Sequence, residues 1–251
     1  MFSLKGKRAL VTGGSRGIGA AISRSLAAAG ADVCIGYHSR AKDAKAVVAQ
    51  CKALGVKAVA FASDISTTLG AEQLVVHTVG KLGGLDLFVG NAGIWPVEEV
   101  LVSELADDRW RRTMRQNVDS MFFTTRAALK VMEPNGRVVL VASTAGQRGE
   151  AMHADYGASK GAMIAFVKSV AIEVAGQGIT VNAVAPGWVD TEMCDLAFAD
   201  GGRERIAAGI PVGRVASTDD IAFPTVFLCT DEARHITGEI LNVNGGAVLC
   251  G

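Results

Sequence analysis

The sequence predicts an α/β fold: a single doubly wound domain whose seven-stranded parallel sheet is flanked by helices on both faces. Three observations lead there. Apolar runs of four to six residues recur along the whole chain, and most are separated by longer stretches with helical periodicity. The runs are apolar without alternation, as in VVLVA at 138–142, which suits strands buried on both sides. Strand and helix alternate throughout, so a parallel sheet with right-handed crossovers follows.

The first strand is expected at 8–12 (RALVT), and a glycine-rich turn leads from it into an amphipathic helix at 18–29. A second strand at 32–37 precedes a helix at 41–54, and a third strand lies at 58–62. The fourth, at 85–90, is followed by an amphipathic stretch at 107–132, and the fifth at 137–142 by one at 153–175. The sixth strand is read at 180–184, a further helix at 218–229 and the last strand at 240–243. One segment breaks the rhythm: between Pro186 and Pro211 the chain is long, mixed in character and glycine-bearing. Such a connection suits a lid or substrate loop, about 187–212. A pair of short surface helices is the plainer reading, and the two are compatible.

Composition narrows the function. With 251 residues, 49% hydrophobic and 20% charged, the chain can bury a large core as one domain over 1–251. Its 30 glycines are about 12% against roughly 7% in average usage, which points to tight turns or to backbone brought close to a ligand. Basic and acidic residues balance at 25 each with no run of like charge. That disfavours nucleic acid and anionic membranes as partners. The five cysteines (Cys34, Cys51, Cys194, Cys229, Cys250) are scattered, without metal-ligand spacing, so reduced thiols and no metal are expected. The N-terminal apolar run, Ala9-Leu10-Val11, is too short for a signal peptide, and no stretch reaches membrane-spanning length, so a cytoplasmic protein is expected.

Two motifs carry chemistry. Thr12-Gly13-Gly14-Ser15-Arg16-Gly17-Ile18-Gly19 stands between the first strand and the first helix. Glycines there let a pyrophosphate approach the backbone, and the helix N-terminus offers free N–H groups and a positive dipole end. Tyr156 and Lys160 lie four apart on a predicted helix, on one face. A tyrosine with a reference pKa of about 10 needs a neighbouring cation before it exchanges protons near neutrality. Ser143, just past the fifth strand, can add a hydrogen bond to an oxygen on which negative charge builds.

TGxxxGxG resembles the fingerprint of the short-chain dehydrogenase/reductase family. Further motifs follow in order over nearly the whole chain: Asn91-Ala92-Gly93, Asn117, Ser143, Tyr156 and Lys160, Pro186-Gly187 with Thr191, and ITGEILNVNGG at 236–246. The resemblance implies a Rossmann-type domain and a nicotinamide-dependent oxidoreductase. It makes Tyr156 the general acid/base, has Ser143 polarise the substrate oxygen, and has Lys160 lower the tyrosine pKa while holding the nicotinamide ribose. Asn117 would position a water linking Lys160 to solvent. Gly13, Ser15, Arg16, Gly17, Ile18 and Gly19 would cradle the cofactor. So would Tyr37, His38, Ser39 and Arg40 after the second strand, Asp64 and Ile65 beside adenine, Asn91, Ala92 and Gly93, and Pro186, Gly187, Val189 and Thr191. Trp95, Gln147 and Trp188, with Ser143, would face the substrate. His153 is read as a helix-start residue.

The second strand ends Gly36-Tyr37-His38-Ser39-Arg40 without an acid to hold a ribose 2′-hydroxyl. Arg16 and Arg40 can instead neutralise a 2′-phosphate. NADP(H) is therefore the expected cofactor and a small ketone, aldehyde or secondary alcohol the expected substrate. The nearest likeness within the family is to 3-oxoacyl-carrier-protein reductases and to sugar or polyol dehydrogenases. Carrier-protein reductases tend to carry basic residues before the fifth strand and late in the tyrosine-bearing helix. Here those places read Glu133-Pro134-Asn135 and Ile172-Glu173, leaving only Lys130, Arg137 and Lys168 nearby. The resemblance also implies a homotetramer, with apolar surface on the helix at 153–175 and on the terminal segment 240–249. A non-catalytic NADP-binding sensor is the reading from another class, but it would be expected to lack the tyrosine or the lysine.

Overall fold

In the computed structural model seven parallel strands form one sheet in the order β3-β2-β1-β4-β5-β6-β7. They are β1 (Arg8–Thr12), β2 (Asp32–Tyr37), β3 (Ala58–Ala62), β4 (Leu87–Gly90), β5 (Arg137–Val141), β6 (Thr180–Pro186) and β7 (Ile240–Val243). The structure describes residues 3–249. Met1, Phe2, Cys250 and Gly251, and with them the fifth cysteine, lie outside the described residues.

Each strand sends alternate side chains to two separate cores, as a pleated strand buried on both faces must. Ala9 and Val11 of β1, Val33 and Ile35 of β2 and Leu87 and Val89 of β4 enter one core. Helices α1 (Gly17–Ala28), α2 (Ala41–Ala53) and α10 (Thr218–Leu228) cover it. Leu10, Cys34 and Phe88, from the positions between, enter the other. Its cover is α3 (Thr68–Leu82), α5 (Ser120–Leu129) and α7 (Ala154–Val174). The sheet is thus wound on both sides, and the strand order reverses next to β1. Open α/β sheets bind ligands at such a switch point, beyond the strand C-termini.

Two departures from the sequence reading have local causes. Segment 63–84, which that reading leaves without a helix, forms α3, with the Thr67 side chain accepting from Gly70 N as an N-cap. The stretch at 107–132 is not one helix: α4 (Asp107–Met114) passes through a π-helical turn at Arg115–Asp119 into α5. The long connection, by contrast, folds into α8 (Asp195–Phe198) and α9 (Gly202–Ala208), the pair of short helices that was the plainer reading. Between β5 and α7 lies α6 (Thr144–Arg148), capped by the Ser143 side chain. No helix of the described residues is long and apolar enough to cross a membrane.

Candidate active site

The glycine pattern acquires a reason at each position. Gly13 and Gly17 have φ of +62° and +51°, the left-handed region in which a side chain is strained. A Cβ on Gly19 would lie 2.3 Å from the Gly13 carbonyl oxygen and 2.5 Å from Asn91 Nδ2, so α1 could not sit this close to β1. Thr12 Oγ1 accepts from Asn91 N at 3.0 Å and Ala92 N at 3.1 Å, while Asn91 Nδ2 donates to the Thr12 and Gly13 carbonyls. The two turns after β1 and β4 are thereby tied into one cradle. No side chain caps α1, and Gly17 and Ile18 line the cleft beside it. An uncapped first turn with glycines in the left-handed region fits the diphosphate of a dinucleotide.

The same cleft, about 490 Å³, takes in Ser143, Tyr156 and Lys160. Ser143 enters from the end of β5 and Tyr156 and Lys160 from α7. The packing of α6 on α7 brings them together: a Cβ on Gly146 would lie 2.5 Å from the Lys160 backbone. Lys160 is 5% exposed, its Nζ donates to the Val141 carbonyl at 2.7 Å, and burial draws its pKa down to about 8. Its ammonium lies 5.8 Å from the Tyr156 ring centroid.

The resemblance implies a phenol pulled down by Lys160, and burial of the phenol acts in the opposite direction. Burial pushes the Tyr156 phenol above its ordinary value, the Ser143 hydroxyl opposes that more weakly, and the nearby Glu150 charge adds to the rise. With the ammonium held by the Val141 carbonyl, burial wins. The phenol stays protonated at neutral pH, the state needed to give a proton to an oxygen gaining charge.

At the far end of the cleft, Arg16 Nη1 and Arg40 Nη2 reach the same oxygen, Glu192 Oε2, at 2.5 and 3.0 Å. These two guanidiniums can grip one anion together.

Comparison with known proteins decides the family. The sequence family described as enoyl-(acyl carrier protein) reductase matches residues 13–248. The 3-oxoacyl-[acyl-carrier-protein] reductase FabG of Salmonella typhimurium is 39% identical over 99% of this chain and 100% of its own. A short chain dehydrogenase from Burkholderia cenocepacia, solved in complex with NADP, superimposes with a TM-score of 0.90 at 39% identity, covering 97% of this chain and 98% of that one. The chain belongs to the short-chain dehydrogenase/reductase family. It is therefore an oxidoreductase. A blue fluorescent protein from a metagenomic library, solved with NADPH, shares the fold of this short-chain dehydrogenase/reductase at TM-score 0.92 and 36% identity, over 98% of this chain and 100% of that chain.

The remaining sequence-derived residues of this short-chain dehydrogenase/reductase divide into two groups. Ser15, Tyr37, His38, Ser39, Asp64, Ile65, Asn91, Ala92, Gly93, Trp95, Pro186, Gly187, Trp188, Val189 and Thr191 all line the cleft. Asp64 also serves its turn, accepting from Ser66 N and Oγ at 3.1 and 2.6 Å. Three residues stand outside. Gly19 packs behind the cradle. Gln147 Nε2 donates to Asn242 Oδ1 at 2.6 Å, which ties α6 to β7 and takes it away from the substrate side. Asn117 is fully buried in the π-helical turn. Its Oδ1 accepts from Ile94 N at 2.8 Å, and its Nδ2 donates to the Ile94 carbonyl and Ser159 Oγ, each at 3.0 Å. Those contacts make it a clamp between the turn after β4 and α7.

Sequence reasoning missed Glu192, although it follows Thr191 directly, because only the fold brings it to the two arginines. It also missed the buried pair that fixes the start of α7. Asp155 accepts from Arg109 Nε at 3.1 Å and Thr113 Oγ1 at 2.8 Å, anchoring the residue next to Tyr156 to α4. His153, as expected, is the residue before α7, and its ring stacks on Trp95.

Proposed function

We propose that the enzyme reduces a small ketone or aldehyde, reversibly, with NADP(H) as the hydride carrier and Tyr156 as the general acid/base. The observation that carries this is the meeting of Ser143, Tyr156 and Lys160 in the same cleft as the glycine cradle. When bound, the nicotinamide supplies the hydride. The chain's own residues then handle the oxygen: Ser143 offers it a hydrogen bond and Tyr156 gives it a proton. Lys160 supplies positive charge beside the phenolate left behind. With its pKa at about 8, Lys160 is charged below that pH and neutral above it. Reductive kcat/KM is expected to be level from roughly pH 6 to 7.5 and to fall above about pH 8, as rates measured across that range will show. A profile level through about pH 9 would detach Lys160 from the step.

A free carbonyl compound is favoured over an acyl chain on a carrier protein. Carrier proteins are acidic, so docking calls for exposed basic residues, which such reductases tend to carry before the fifth strand and late in the tyrosine-bearing helix. Of the three candidates, Arg137 is only 3% exposed and bonds the carbonyls of Asn135 and Thr230. Lys130 faces Glu72 at 3.9 Å, which leaves Lys168 as the one without an ion pair. The second reading, a 3-oxoacyl-[acyl-carrier-protein] reductase, has the FabG likeness in its favour. Acetoacetyl-carrier protein and the matching short free thioester, assayed at low and high salt, separate the two. Comparable kcat/KM for both is expected, and a strong, salt-sensitive preference for the carrier-bound form would overturn the reading.

Assembly as a homotetramer completes the proposal. Phe122 of α5, Ile172 of α7 and Leu249 near the end of the chain are exposed apolar side chains, and burying such surface favours closed symmetric oligomers. Light scattering is expected to give about four times the 26.0 kDa of one chain. A mass of one chain would exclude it.

A further inference from the structure

The substrate side of the cleft holds a carboxylate that the proposed proton transfer does not use. Glu150, two residues past α6, lines the cleft beside Tyr156, with its side chain 23% exposed. Trp95 Nε1 donates to Glu150 Oε1 at 3.1 Å, and His153 Nδ1 lies 3.6 Å from the same oxygen. Both contacts fall on Oε1; among the described residues no hydrogen bond reaches Oε2. To anchor an indole N–H, a neutral acceptor would serve. A carboxylate is costlier to desolvate and brings a second oxygen that needs a donor.

The surroundings are aromatic. Trp95 meets Trp188 edge-on with centroids 5.8 Å apart, and Trp188 is followed by Phe198 at 6.0 Å. One acceptor in an apolar wall is the usual construction of a site that orients a ligand by a single polar group. The carboxylate is near the chemistry, since its charge is felt by the Tyr156 phenol. Burial holds its carboxyl above the usual range, and Arg148 and His153 are the basic side chains beside it. The nearby Asp155 is already satisfied by Arg109 and Thr113.

We propose that the physiological substrate is a carbonyl compound whose apolar or aromatic body carries a hydrogen-bond donor, a hydroxyl or an ammonium group, received by Glu150 Oε2. This rests on the carbonyl-reductase reading above. The test uses acetophenone and its hydroxymethyl, aminomethyl and carboxylate derivatives at the 3- and 4-ring positions, with kcat/KM read from NADPH consumption. For at least one ring position, the hydroxymethyl or aminomethyl compound should exceed acetophenone at least tenfold, and the carboxylate should fall at least tenfold below it. Glu150→Gln keeps an acceptor for Trp95. It should collapse an aminomethyl advantage and spare most of a hydroxymethyl one, so it tells the two donors apart. Glu150→Ala should erase both ratios, with NADPH titration confirming a folded cofactor site. Turnover without any donor advantage in the wild type, or an advantage that survives Glu150→Ala, would overturn the inference alone. If no ketone consumed NADPH, the reductase reading would fall with it.

Discussion

Tyr156→Phe is expected to lower kcat/KM for carbonyl reduction by about 10²–10⁴-fold, the usual contribution of a general acid, while the NADPH dissociation constant stays within about threefold. The split follows from where the groups sit. The substitution removes the proton donor and leaves the ring in place. The glycine cradle after β1, the turn tied to it through Thr12 and Asn91, and Lys160 on the Val141 carbonyl are untouched. Burial keeps the phenol protonated, so the lost group is the acid form, and loss in the reductive direction should be evident throughout the neutral range. Steady-state rates and a fluorescence titration with NADPH measure the two halves separately. A variant that kept more than a tenth of wild-type kcat/KM would show that the proton comes from elsewhere.

The fold was legible because its signals are local and redundant. All seven strands read from apolar runs are present, with ends shifted by at most two residues, since strands buried on both faces are apolar over most of their length. Helix α3 escaped because Gly70 and Gly80 interrupt its pattern; Gly70 is small for a tertiary reason, as a Cβ there would lie 2.1 Å from the Asp64 carbonyl. The site was legible where chemistry demands a residue type at a fixed spacing, as for Tyr156 and Lys160 on one helix face. It was not legible where partners meet only through the fold. Gln147 reads as substrate-facing from its place between Ser143 and Tyr156, yet Asn242 of β7 captures it. The burial that opposes Lys160 at Tyr156 was not legible for a related reason. Sequence spacing shows a lysine one turn away, but neither the depth of burial nor the carbonyl that holds the ammonium.

Replacing Arg16 and Arg40 together by alanine is expected to reduce kcat/KM with NADPH by about 10²-fold while leaving the value with NADH within about threefold. Hydrogen bonds to charged groups contribute about 1.5–3 kcal/mol each, and the low end applies because both side chains are about half exposed (46% and 51%). Two losses of that size make about 3 kcal/mol, or two decades in kcat/KM at about 1.4 kcal/mol per decade. NADH has no 2′-phosphate for the pair to grip, so it should be nearly indifferent. Glu192 sharpens the prediction, because its one carboxylate oxygen already draws both guanidiniums to a single point. A phosphate monoester carries about −1.5 to −2 charge and three acceptor oxygens against the carboxylate's single charge, so it should win the arginines from Glu192. The exposed pairs it displaces are worth only about 0–1 kcal/mol each. Removing the competitor by Glu192→Gln should therefore tighten NADPH binding by a few-fold and leave NADH binding unchanged. Dissociation constants for both cofactors, measured in the wild type and the two variants, test the whole argument. If the wild type used NADH with an equal or higher kcat/KM, the paired arginines would have no part in choosing the cofactor.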